Sequence, residues 1–216
     1  RSYGMVVQGS YCGAAVAVKM VSKIGAIGNS LVNELRFLRQ LRHPHLVTFF
    51  GVAMREDTLF VVMELVAGGT LQEYVSALHG NLRGNSLATV SPCPQQSAAM
   101  RGLHIVMQGV VRALVFLHSQ KPAVVHCDLQ PANIIITQHP DTGPFAKLLD
   151  FGLAAAGTRH ATVDGGTAKF MAPEAYSAGG RARARPAVDI YAVGRLLCYA
   201  RSEEHTSELQ SPDHLV

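Results

Sequence analysis

No C-x-x-C pair occurs anywhere in the chain, and its four cysteines, Cys12, Cys93, Cys127 and Cys198, are widely scattered. That spacing argues against a zinc site and a disulfide framework, and it suits a reducing, cytoplasmic compartment. Tryptophan is absent and only 16% of residues are charged, whereas 48% are apolar. Such a balance builds a packed core and excludes a disordered chain. No uninterrupted apolar run approaches the roughly 18 residues that a bilayer requires, so no membrane contact is evident. Basic residues cluster only at Arg181, Arg183 and Arg185, without interleaved aromatics. This reads as a solvated loop and not as a nucleic-acid surface.

The net charge of +4 is unevenly placed: residues 1–200 carry +7 and residues 201–216 carry −3. The last segment, RSEEHTSELQSPDHLV, breaks in composition from the apolar helical run DIYAVGRLLCYA before it. RSEEHTSELQS resembles the in-frame translation of a common short-read sequencing adapter, and residues 212–216 fit its continuation. Residues 201–216 are therefore expected to be a non-native tail. The chain begins at Arg1 and not at Met, which leaves open a targeting segment upstream.

Along residues 1–200 the pattern alternates between β and helical periods. A hairpin is expected over residues 3–20, with its turn at Gln8-Gly9-Ser10 and a second strand at Ala15–Lys19. Alternation puts Ala17 and Lys19 on one strand face. Asn29 or Ser30 can cap a helix in which Leu31, Leu35, Leu38 and Leu41 recur at helical spacing, with Glu34 beside that stripe. The helix must stop by His43-Pro44. Strands follow at Leu46–Val52 and Leu59–Glu64, then a short helix at Leu71–Leu78. Residues 79–99 read as an exposed loop, and Met100–His118 as a long apolar helix. Short β segments are expected at Val124-Val125, Asn133–Ile136 and Lys147–Leu149. The fold class is α+β: a small β-rich lobe with one helix (residues 1–66), then a mainly helical lobe (67–200).

Several signatures occur in one order at consistent spacing. They are Val16-Ala17-Val18-Lys19, then Glu34, then His126-Cys127-Asp128-Leu129-Gln130-Pro131-Ala132-Asn133, then Asp150-Phe151-Gly152, then Ala172-Pro173-Glu174. Together they resemble the eukaryotic protein kinase family. The resemblance covers residues 1–200 and implies a two-lobed domain, incomplete at both ends, that binds ATP and Mg²⁺ and phosphorylates a protein substrate.

By that resemblance Lys19 contacts the α- and β-phosphates and Glu34 orients it. Read alone, such a pair is a surface ion pair worth under about 1 kcal/mol. Asp150 and Asn133 would hold Mg²⁺ with hard oxygen donors, and Asp128 would accept or orient the acceptor hydroxyl's proton. Gly4 and Val6 match the end of the phosphate loop and the valine covering adenine. Met63 falls at the gatekeeper position, Glu64 to Val66 form the hinge, and Ala17 and Ile135 would sandwich the base. A plain core role for Ala17, Met63 and Ile135 is equally consistent with the residues alone. Leu38, Phe49, His126 and Phe151 match the family's interlobe stack, above Asp189.

Two positions depart from the pattern. Cys127 replaces the arginine that pairs with a phosphorylated activation segment, so a phosphate on Thr158 or Thr162 loses a bidentate partner. Gln130 replaces a lysine and brings no charge to the transferring phosphate. The segment Gly166-Thr167-Ala168-Lys169-Phe170-Met171 resembles that of Ser/Thr kinases of the tyrosine-kinase-like group, in which Thr167 bridges to the catalytic loop. The expected activity is therefore Ser/Thr phosphorylation. The rival expectation is a pseudokinase, an ATP-binding scaffold with weak or no catalysis.

Overall fold

The computed structural model describes residues 5–22, 29–83, 94–141, 143–157, 161–163, 165–177 and 182–201. Gly4, Thr158 and the tail from residue 202 lie outside them.

Four strands, β1 (Met5–Tyr11), β2 (Ala14–Ser22), β3 (Phe49–Arg55) and β4 (Thr58–Glu64), form one antiparallel sheet in the order β1-β2-β4-β3. The hairpin turn is Cys12-Gly13, not the expected Gln8-Gly9-Ser10. Both turn residues have positive φ, 50° and 80°, the geometry that a two-residue turn needs to match strand twist. Gly9 stays in the strand, paired with Val16.

Helix α1 (Asn29–Gln40) begins where the sequence pattern suggests. Its stripe buries Phe37 and Leu38, and Leu41 just beyond its end is buried too. Here β3 starts three residues later than the sequence pattern suggests. Leu46 and Val47 are buried, but Leu46 bridges to Leu148 and the Val47 amide donates to the Leu148 carbonyl. The apolar run thus belongs partly to the second lobe, a distinction that periodicity alone does not carry.

The second lobe opens with β5 (Gly69–Thr70) and α2 (Leu71–Arg83), followed by α3 (Pro94–Ser119). Both ends of the expected loop over residues 79–99 are therefore helical, and only residues 84–93 fall outside the described structure. Met100–Ser119 within α3 is long and apolar enough to cross a membrane. Its Val106, Val110, Ala113 and Leu117 are completely buried in the core with Leu71 and Val75 of α2. A fully buried Val or Leu contributes about 1.5–3 kcal/mol, so this is the central core helix of the lobe.

Past α3, β6 (Val124–Val125) pairs with β9 (Ala155–Ala156), while β7 (Ile134–His139) and β8 (Gly143–Leu148) complete a sheet of order β5-β7-β8. A 3-10 turn, Pro131–Asn133, precedes β7. Two further helices, α4 (Pro173–Ser177) and α5 (Pro186–Arg201), follow. This is an α+β architecture of a β-rich lobe carrying one helix and a mainly helical lobe. Between them, Leu38, Phe49 and Phe151 share one apolar cluster, and His126 tilts against Phe151 at 5.2 Å.

Candidate active site

A cavity of about 340 Å³ opens between the lobes, within the range of small-ligand sites. Its lining contains Val6, Ala17, Lys19, Glu34, Met63, Glu64, Val66, Asn133, Ile135 and Asp150, all of them candidate site residues of the sequence. Ala17 pairs with Met63 across β2 and β4, which puts both on the sheet face over the cavity. Val47, Leu65 and Leu149 line it as well. Leu65 lies inside the expected hinge run. Sequence reasoning missed Val47 and Leu149. Leu149 precedes Asp150, so adjacency was the available signal, whereas Val47 had none.

Lys19 and Glu34 meet at 2.6 Å and are only 6% and 2% exposed. Such burial removes the surface-pair reading. Desolvation pushes the Glu34 carboxyl above its ordinary value, although Lys19 pulls the other way; the charge of Asp150 adds to the rise.

The catalytic-loop residues converge on one carboxylate. Asp128 Oδ1 accepts from the Thr167 amide at 3.1 Å and the Thr167 hydroxyl at 3.0 Å. Its Oδ2 accepts from Gln130 Nε2 at 3.0 Å and from Asn133 Nδ2 at 3.1 Å. Asn133 Nδ2 also donates to the Asp128 carbonyl at 2.9 Å, which turns the amide oxygen of Asn133 away from the loop. Asp128, Gln130 and Thr167 lie outside the cavity lining, but Asn133 belongs both to it and to this network. Gly166, with φ of 132°, lets this segment come close: a Cβ there would stand 3.1 Å from the Cys127 carbonyl oxygen.

Backbone geometry is unusual at two residues of these motifs. Cys127 and Asp150 both have positive φ, 66° and 56°, a strained conformation for residues with side chains. Asp189, 1% exposed, holds the loop from below. It accepts from the His126 amide at 2.9 Å, the Cys127 amide at 3.0 Å and His118 Nε2 at 2.8 Å. Asp150 Oδ1 accepts from the Gly152 amide at 3.0 Å. Asn133 and Asp150 both line the cavity, and an amide oxygen with a carboxylate is a donor set that a hard divalent cation takes.

The Cys127 side chain is buried among Val163, Ala172, Ala175, Ala184 and Val188. An apolar cluster thus stands where the family's arginine would meet a phosphate. Thr162 bridges to Arg183, and backbone bonds run from Val163 to Ala182 and from Ala184 to Ala161. The activation segment is therefore sewn to the chain ahead of α5 by its backbone.

Comparison with known proteins identifies the family that carries this cleft and loop. The family model "Protein kinase domain" matches residues 2–214, extending into the tail segment. The chain belongs to the protein kinase family. It is 31% identical to the Arabidopsis thaliana protein named "Probable serine/threonine-protein kinase SIS8" over 91% of this chain and 17% of that protein. Identity is 32% to serine/threonine-protein kinase dkf-2 of Caenorhabditis briggsae, over 84% of this chain and 14% of the relative. A receptor-like cytoplasmic serine/threonine-protein kinase of Nicotiana benthamiana is also 32% identical, over 84% and 36%. The chain thus spans well under half the length of these curated relatives.

Proposed function

We propose that this domain transfers the γ-phosphate of ATP to serine or threonine hydroxyls of a protein substrate in the cytoplasm. The observation that carries this reading is the carboxylate of Asp128, held by Thr167 on one oxygen and by Gln130 and Asn133 on the other. A group so held can orient an acceptor hydroxyl and take its proton. The Thr167 hydroxyl already occupies one such position, where an aliphatic hydroxyl of the substrate would compete. Lys19, fixed by Glu34, supports the phosphates. Asn133 and Asp150 would hold Mg²⁺, which when bound supplies charge neutralisation at the phosphate oxygens. The acceptor segment's likeness to the tyrosine-kinase-like group supports the same acceptor class.

Residues 201–216 are proposed to be adapter-derived, with the native domain continuing beyond Ala200. Ile190, Leu197 and Tyr191 on α5 expose apolar surface that further helices would cover.

The test is Asp128→Asn in the full-length protein. Phosphate transfer to a protein substrate should fall by at least about a thousandfold, while Mg·ATP affinity stays within about twofold, because Asp128 acts on the acceptor and not on the nucleotide. Equal transfer by wild type and variant, with ATP still bound, would establish the pseudokinase instead.

A further inference from the structure

Glu64 sits at the end of β4, where the first sheet passes into the hinge, and its side chain is as well placed as its backbone. One carboxylate oxygen, Oε2, accepts from Lys147 Nζ at 2.7 Å and from the Thr48 amide at 3.1 Å. The Glu64 amide in turn donates to the Thr48 carbonyl at 2.8 Å. Lys147 lies in β8, on the other lobe, three residues ahead of Asp150. Its neighbour Leu148 donates to the His45 carbonyl at 2.9 Å and accepts from the Val47 amide at 3.1 Å. His45 and Val47 are thus bonded to β8, and Thr48 to Glu64, before the chain becomes β3. Among the described residues, this is the only ion pair that joins the four-stranded sheet to the β5-β7-β8 sheet.

We propose that the Glu64–Lys147 pair is an interlobe latch that sets the hinge against the strand delivering Asp150, making Lys147 a positioning residue for nucleotide binding. The inference rests on the cleft being the ATP site. Leu65 and Val66, directly after Glu64, line that cleft, and so do Leu149 and Asp150, two and three residues after Lys147. A shift of either element changes the distance between the base and the phosphate end of the same ligand. An ordinary half-exposed ion pair contributes little to stability. This one shares its acceptor oxygen with a backbone amide, which fixes the carboxylate's orientation, and both partners are largely covered, with side chains 28% and 14% exposed. Its effect should therefore appear in binding geometry more than in melting temperature.

The experiment measures steady-state kcat and KM for Mg·ATP in the full-length protein carrying Glu64→Gln, Lys147→Met, both together, Lys147→Arg, and the exchange Glu64→Lys with Lys147→Glu. Each neutral single variant should raise KM about three- to tenfold, with kcat moving less than KM. The double variant should be no worse than either single, since both remove one interaction. Lys147→Arg should stay near wild type and the exchange should recover most of the loss. Unchanged KM, additive effects, or a loss confined to kcat would overturn the latch. Should the neutral variants fail to fold, the exchange alone decides: a KM near wild type supports the latch and a raised KM refutes it. If wild type shows no transfer at all, the kinase reading fails separately. The same variants are then compared by equilibrium titration with Mg·ATP, under the same criteria.

Discussion

Replacing Lys19 by methionine removes the cation paired with a carboxylate that is 2% exposed. The buried Glu34 charge cannot remain as it is, because leaving one partner of a buried pair uncompensated costs about 3–5 kcal/mol. A less costly response is proton uptake. Burial already raises this carboxyl above its ordinary 4.5, so the folded variant should bind a proton at pH 7 that the unfolded chain does not. Protonating a carboxyl of pKa 4.5 at pH 7 costs about 3.4 kcal/mol at 1.36 kcal/mol per unit; at pH 5 the same step costs about 0.7 kcal/mol. The sign follows from linkage. A carboxyl whose folded pKa is raised favours the folded state below the unfolded value, and that advantage disappears as pH rises through the folded value. Lys19→Met should therefore destabilise the complete domain by about 3 kcal/mol at pH 7 and by about 1 kcal/mol at pH 5. Glu34→Gln added to Lys19→Met should restore stability at pH 7. Urea unfolding of the three proteins at both pH values gives the numbers. A Lys19→Met penalty equal at the two values, or one that Glu34→Gln deepens, would refute the reasoning.

The other expectations are more direct. Gln130→Lys places a charge beside Asp128 and the transferring phosphate, so turnover in the full-length protein should rise about ten- to a hundredfold; a phosphorylation time course measures it, and unchanged turnover would show that Gln130 is not limiting. Thr162→Ala should leave activity within about threefold, because the position ahead of Asp128 holds a buried cysteine and not the arginine with which the family reads a phosphate there. A hundredfold loss that phosphorylation of the wild type explains would contradict this. Sequencing the native gene should continue the apolar pattern of α5 beyond Ala200, whereas an uninterrupted genomic reading of RSEEHTSELQ would remove the adapter interpretation.

The motifs that carry the chemistry are local, which is why they were legible before any coordinates. Asp128, Asn133 and Asp150 lie in short irregular or 3-10 segments, and spacing along one chain is enough to recognise the motifs to which they belong. Helix α1 and the α3 core helix were equally readable, since a 3.6-residue apolar stripe has one physical use in water. Turn position and strand ends were not. The pattern around Gln8-Gly9-Ser10 suits a turn, yet Gly9 pairs with Val16 because the Cys12-Gly13 turn supplies the positive φ values that close the hairpin.

Cooperation between distant residues belonged to the tertiary structure alone. Periodicity could place Leu46 and Val47 in a strand, but only the bonds to Leu148 assign them to the second lobe. Glu64 was readable as hinge backbone, while its side-chain bond to Lys147 spans 83 positions and depends on how the two sheets meet. The burial of Cys127 also follows from that packing: an apolar residue type was visible in the motif, but its neighbours Val163, Ala184 and Val188 are gathered only when the activation segment folds back. Local sequence determines which groups are available and in what order. Which of them share a dielectric, a carboxylate or a cavity is decided by long-range contacts, whose loop-closure entropy is offset only once the whole core forms.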